Sequence, residues 1–248
     1  MPQSPNPWLI YPQPNPQASL RLFCFHAAGT SASLFRSWVK YLPPQMELCT
    51  VQLPGRENRL REKPLTAMPP TVEILGKKLL PHLQELPLAL FGHSFGSILA
   101  FEFARQLRRQ NLPNPVYLFV SGRQPPHFPI RYPLHQKSNQ DLLGCLEQYG
   151  GTPEVILKSP ALIQLFLPIF RADLTMLETN VYIDEAPFDF PLAAFKSTDD
   201  SFVTEEELRQ WSKHTNSSFD YQIFPGSHMF LKENPEPLIN TIVNLLGL

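Results

Sequence analysis

The sequence has 248 residues, with 21 Lys and Arg against 22 Asp and Glu for a formal charge of −1, and 43% of it is hydrophobic. That balance supplies no basic face for nucleic acid, and the apolar content excludes global disorder. A chain of this length buries enough surface to fold without staples; Cys24, Cys49 and Cys145 are scattered without CxxC spacing, so neither a disulfide framework nor a zinc site is expected, and a reducing compartment fits.

The N-terminus has no basic start and no apolar core of signal-peptide length, and no later run approaches the length of a membrane span. A cytoplasmic protein without membrane contact is expected. Six prolines fall within the first sixteen residues, which reads as an extended arm over 1–17 with Trp8, Leu9 and Ile10 the only part able to dock. Leu20–Phe25 reads as a strand, followed by the turn His26-Ala27-Ala28-Gly29 and a helix near Ser33–Tyr41. Leu48–Leu53 is a second strand, and Thr71–Gln84 a helix with Pro81 near its end. Leu88–Phe91 is a third strand, feeding Gly92-His93-Ser94-Phe95-Gly96 and a helix over Ser97–Arg109. Val116–Val120, Leu192–Phe195 and Phe219–Phe224 complete six strands. Thr204 and Glu207 form a capping box at the start of a helix, and a last helix runs from about Pro235 to Leu246.

Strands separated by helices imply βαβ crossovers: an α/β fold with a mostly parallel sheet and helices on both faces. The interval from Val120 to Leu192 breaks the rhythm. It holds a helix over Asn139–Tyr149, closed by Gly150-Gly151, and another over Pro160–Glu178 with Ser159 as N-cap and Pro168 inside. The second is apolar nearly all round, so it must be buried on several sides or cover an apolar cavity. The expected division is a core over 18–124 and 186–248 with a helical lid inserted over 125–185.

Gly92–Gly96 matches G-x-S-x-G between a strand and a helix. The sharp reversal needs small neighbours, and it leaves the Ser94 hydroxyl exposed at a helix N-terminus. A serine hydroxyl needs a base. In α/β-hydrolases the chain order is Ser, acid, His, with the histidine on a loop after the last strand. His228, directly after Phe219–Phe224, fits; His93 and His26 read as structural. His82, His127, His135 and His214 have no supporting context. The acid should follow the penultimate strand, where Asp200 is preferred and Asp199 is the alternative. Asp173, Asp184 and Asp189 come too early and read as lid or surface residues. An oxyanion hole needs two N–H donors, one from Phe95 and one from Ala27, with Ala28 the alternative.

These residues closely resemble the type II (external, editing) thioesterases of nonribosomal peptide and polyketide synthesis, over nearly the whole chain after the proline arm. The opening strand and H-A-x-G turn resemble Cys24–Gly29, P-G-R-E stands as Pro54–Glu57, R-A-D as Arg171–Asp173, and the elbow as Gly92–Gly96. The acid loop G-x-x-D-x-x-V aligns with Ser197–Val203 and so with Asp200, although Ser197 stands where glycine is usual. The G-x-H-F-F loop resembles Gly226–Phe230, with Met229 in place of an aromatic.

The resemblance implies an α/β-hydrolase that removes acyl or aminoacyl groups from the phosphopantetheine arm of acyl or peptidyl carrier protein domains. It would work through Ser94, His228 and Asp200, with no metal and no bound cofactor; a monomer is expected. Two further enzyme readings remain, a carboxylesterase or lipase acting on oxygen esters and a product-releasing thioesterase. The non-enzymatic reading is a ligand-binding hydrolase-fold scaffold.

Overall fold

The computed structural model describes residues 6–130, 133–149 and 154–248. Seven strands form one sheet: β1 (Leu9–Ile10), β2 (Leu20–Phe25), β3 (Met46–Val51), β4 (Leu88–His93), β5 (Tyr117–Ser121), β6 (Leu192–Ser197) and β7 (Phe219–Phe224), in the order β1-β3-β2-β4-β5-β6-β7. All neighbours are parallel except β1, which runs antiparallel to β3.

The helices are α1 (Met68–Leu83), α2 (Phe95–Arg109), α3 (Asn139–Tyr149), α4 (Glu154–Leu157), α5 (Pro160–Glu178), α6 (Glu205–Arg209), α7 (Phe230–Glu233) and α8 (Glu236–Leu245). Side chains alternate across each strand, so Phe23 and Phe25 face a core shared with Leu75, Leu79, Leu99 and Phe103 of α1 and α2. Leu22 and Cys24 face the opposite core, with Trp38 and with Leu238 and Ile242 of α8. Both faces of the sheet are thereby covered, as a parallel sheet requires. The fold is that of the α/β-hydrolases.

Four departures from the sequence reading have local causes. The stretch expected as a helix near Ser33–Tyr41 is a 3₁₀ helix over Ala32–Lys40, because its buried residues Ala32, Phe35 and Trp38 recur every third position. Helix α1 starts at Met68 rather than Thr71, since Pro69 and Pro70 occupy the first turn, where a missing N–H costs nothing. Strand β1 and the single turn α4 are too short to show a period.

The fourth concerns the proline-rich arm, whose described part is bound along the sheet edge. Gln52 N–H donates to Trp8 O at 3.0 Å, Thr50 Oγ1 to Ile10 O at 3.0 Å, and the Arg59 guanidinium lies 4.0 Å from the Trp8 ring centroid. Docking extends past Ile10: Asn15 N–H donates to Glu47 and the Tyr11 hydroxyl meets His82 Nδ1 at 2.9 Å.

Between β5 and β6 come helices α3, α4 and α5; α4 packs on α5, and α5 packs on α2. Leu142, Leu146, Leu167, Phe170 and Leu174 form a small core of their own. By length and composition α5 alone among the described helices has the character of a membrane span. Its C-terminal half is buried here, whereas Leu162 and Leu165 near its start are exposed, so its apolar surface is covered only in part. Gly150-Gly151, expected to close α3, lies outside the described residues.

Candidate active site

Ser94 ends the turn from β4 into α2 with φ 55° and ψ −115°, a backbone state that a non-glycine residue holds only under constraint. The constraint is backbone packing. A Cβ on Gly92 would lie 2.1 Å from Gly96 O, and one on Gly96 would lie 2.1 Å from Phe25 O. Both positions therefore accept hydrogen and nothing larger. The turn is braced from β5, where Ser94 N–H donates to Ser121 O at 2.7 Å. Ser97 Oγ lies 2.9 Å from Gly92 O and accepts the Ser121 N–H at 2.9 Å. Phe95 is the first residue of α2, so its N–H has no acceptor within its own helix.

His228 follows β7 and meets the acid loop after β6. Its Nδ1 lies 2.8 Å from Asp200 Oδ2, and the Asp200 carboxylate is fully buried. Asp200 Oδ1 accepts the Phe202 N–H at 2.9 Å, and Lys196 Nζ donates to Asp200 O and Val203 O, which holds the loop closed. Asp199, the alternative, is exposed and accepts from Thr198 Oγ1 instead. Ser197, where the resemblance leads one to expect glycine, donates its hydroxyl to Ser227 O at 2.6 Å and so ties the acid loop to the residue before His228.

A carboxylate oxygen only accepts, so Nδ1 of His228 carries the proton and Nε2 is the bare nitrogen. That is the tautomer a general base needs. Ser94 and His228 line one cavity of about 1110 Å³, and Ala27 and Ala28 line it too.

The other histidines have separate partners. His93 is buried with Nδ1 2.9 Å from Ser121 Oγ, and burial holds its pKa well below the ordinary value, with His228 adding to the shift. His127 Nδ1 meets His214 Nε2 at 3.0 Å, and His135 Nδ1 meets Glu178 at 2.6 Å. Asp184 accepts from Tyr182 and Asp189 from Asn216. Cys24, Cys49 and Cys145 are free thiols. Among the described residues no cluster of three or more His, Cys, Asp or Glu is placed to hold a metal.

Asp173, expected on the lid or at the surface, lies on the lid helix α5 but not at the surface. Its side chain is fully buried on α5 and takes both guanidinium nitrogens of Arg56 at 2.8 Å, while Oδ2 also accepts the Gly29 N–H at 2.8 Å. Arg56 in turn donates to Thr30 O at 2.8 Å. The segments Pro54–Glu57 and Arg171–Asp173 had been visible as motifs; their pairing across 117 positions was not.

The cavity wall has two characters. Helix α5 supplies Phe166, Ile169, Phe170 and Leu174, an apolar surface. The 3₁₀ helix and α7 supply Arg36, Lys40 and Lys232, all exposed, so this stretch meets solvent with positive charge. The arrangement can do acyl transfer: a hydroxyl at a strained turn, an oriented imidazole, and backbone N–H groups at a helix start and at the first loop.

Fold and site together define an α/β-hydrolase. The sequence matches the family model described as "Thioesterase domain" over residues 20–246. It is 37% identical over 244 residues to gramicidin S biosynthesis protein GrsT of Aneurinibacillus migulanus, covering 98% of this chain and 95% of the relative. Among solved structures it is similar to RedJ, a thioesterase from the prodiginine biosynthetic pathway in Streptomyces coelicolor (37% identity, TM-score 0.86, 91% of this chain and 89% of that one). It is also similar to the type II thioesterase BorB from the borrelidin biosynthetic cluster (32% identity, TM-score 0.86, 96% of each chain). The chain belongs to the thioesterase family and is a hydrolase acting on thioesters.

Proposed function

We propose that this protein is an editing thioesterase of nonribosomal peptide or polyketide synthesis. It hydrolyses acyl or aminoacyl groups from the phosphopantetheine arm of acyl or peptidyl carrier protein domains, as a cytoplasmic monomer with no bound cofactor. The observation that carries the mechanism is the 2.8 Å contact of Asp200 with His228 in a cavity that Ser94 also lines. His228 Nε2 takes the Ser94 proton as Oγ attacks the thioester carbonyl. The oxyanion is held by the N–H of Phe95 and that of Ala27, or alternatively Ala28. The pantetheine thiol leaves with the proton from His228. A thiol of pKa about 8.5 is a good leaving group, so this step asks little of the general acid. Water, deprotonated by the same imidazole, then attacks the acyl-enzyme and releases the acid.

Biosynthetic context supports the substrate class: GrsT is named for gramicidin S biosynthesis, and BorB is called a type II thioesterase of a biosynthetic cluster. The two-sided cavity supports it as well. The apolar wall from α5 suits an acyl chain, and Arg36, Lys40 and Lys232 suit the anionic phosphodiester of the arm. Incubating a panel of acyl-loaded carrier proteins with the enzyme, followed by mass spectrometry, tests this reading. Release by the wild type and none by S94A is expected; undiminished release by S94A rejects the nucleophile, and hydrolysis of oxygen esters in preference to all carriers rejects the substrate class.

A further inference from the structure

We propose that Asp173, acting with Arg56, is the positioning residue of the oxyanion loop, reaching it from the lid. The inference rests on the acyl-transfer reading, since only an oxyanion makes the loop's N–H groups matter.

The loop after β2 is held from two directions. On its inner side the Ala27 carbonyl accepts from Thr30 N at 3.1 Å, from Thr30 Oγ1 at 2.8 Å and from His26 Nδ1 at 2.9 Å. A carbonyl only accepts, so the His26 proton sits on Nδ1; burial, and after it the nearby Arg56, push the ring down to about 4 and keep it neutral. Because C=O and N–H of one trans peptide point opposite ways, fixing the Ala27 carbonyl also fixes the direction of the Ala28 N–H. On its lid side the loop is held by Asp173 and Arg56. Asp173 takes the Gly29 N–H, removing that donor from the cavity, and Arg56 takes the Thr30 carbonyl. Gly29 and Thr30 also line the cavity, but their N–H groups go to Asp173 and to the Ala27 carbonyl; Ala27 and Ala28, beside them on the wall, are the two residues from which the second oxyanion donor is expected.

A buried ion pair is a poor way to gain stability, because desolvation consumes most of the attraction. It is a good way to fix geometry. The forked Arg56–Asp173 contact has two parallel bonds of 2.8 Å, and each partner spends a further donor or acceptor on the loop. Asp173 sits on the same helix as Phe166 and Phe170, whose rings lie against Gly29 and line the cavity. The acyl-pocket wall and the oxyanion loop are thus one packed unit.

The test is steady-state kinetics on octanoyl-N-acetylcysteamine thioester, a substrate without carrier, for D173N and for the double variant R56M/D173L. The double variant removes both buried charges together and preserves the fold if the single substitution does not. Thermal unfolding is followed alongside. The expected result is a kcat lower by about 10²-fold in both variants, the scale of one lost oxyanion donor, with KM within threefold and the apparent pKa of the kcat–pH profile unmoved. Wild-type kcat in either folded variant, or a loss confined to KM, overturns the assignment. Failure of the acyl-transfer reading looks different: S94A would then keep its activity on the same thioester.

Discussion

His228 Nδ1 and Asp200 Oδ2 are 2.8 Å apart in a buried setting, and the second carboxylate oxygen is spent on the Phe202 N–H. Asp200 is thereby held at both carboxylate oxygens, and the neutral ring is fixed in the tautomer whose Nε2 can accept a proton. Asp200→Asn keeps the shape but offers an N–H to the imidazole, which reverses the tautomer. A kcat loss of about 10⁴-fold with unfolding close to wild type is expected. Asp199→Asn, at an exposed neighbour, should stay within threefold of wild type, as about ±0.5 kcal/mol is usual for such surface changes. Steady-state assays of the pair decide it; a worse lesion at 199 than at 200 rejects the acid.

The positive stretch of the cavity wall makes a different kind of prediction. Arg36→Glu with Lys40→Glu should lower the ratio of kcat/KM for a carrier-borne substrate to that for a short phosphate-free thioester by about tenfold, at about 1 kcal/mol per exposed charge at most. The effect should shrink as ionic strength rises, because exposed charges are screened. An unchanged ratio at low salt would remove these residues from the arm's path.

What the sequence revealed and what it hid follow from range. The turn at Gly92–Gly96 is legible because its demand is local, two backbone approaches that exclude a Cβ. The loops at Asp200 and His228 are legible because each directly follows a strand that its own apolar run announces. Thr204 and Glu207 declare their helix start three residues apart. Arg56 and Asp173 each fall in a recognisable motif, but nothing local signals that they pair across 117 positions. Their contact exists only once the fold brings α5 onto the loop after β2. The hydrophobic pattern around Ala32–Lys40 is helical in composition, and only its spacing of three, visible once burial is known, separates 3₁₀ from α.

Buried neutral histidines give the protein an acid-side weakness. His26 is held at about 4 against an ordinary 6.5, chiefly by burial and then by Arg56. His214 is also held at about 4, by burial first and then by His127. A histidine depressed in the folded state leaves the unfolded state binding more protons between these values. Stability is then complete above pH 6.5 and falls as pH drops toward 4, by up to about 3 kcal/mol for His26. Urea unfolding at pH 7.5, 6.5, 5.5 and 4.5 should show a midpoint that is level at the top of the range and declines through the rest. A midpoint constant from 7.5 to 4.5 would contradict the buried neutral ring.

Two glycine substitutions of the same chemistry should move stability in opposite directions. Gly96→Ala drives a methyl to 2.1 Å from Phe25 O, in a turn where both contacting atoms belong to backbone and neither strand β2 nor helix α2 can withdraw without opening the sheet. A loss of at least about 3 kcal/mol, or failure to fold, is expected, at or beyond the upper end for overpacking. Gly144 sits inside α3, where a methyl would meet nothing within 4 Å and the backbone is helical. Gly144→Ala should therefore stabilise by about 0.5–1 kcal/mol, the difference in helix propensity. Guanidinium denaturation of the two variants beside the wild type measures both. Tolerance of alanine at 96 would mean that the turn carrying Ser94 is looser than its φ of 55° requires.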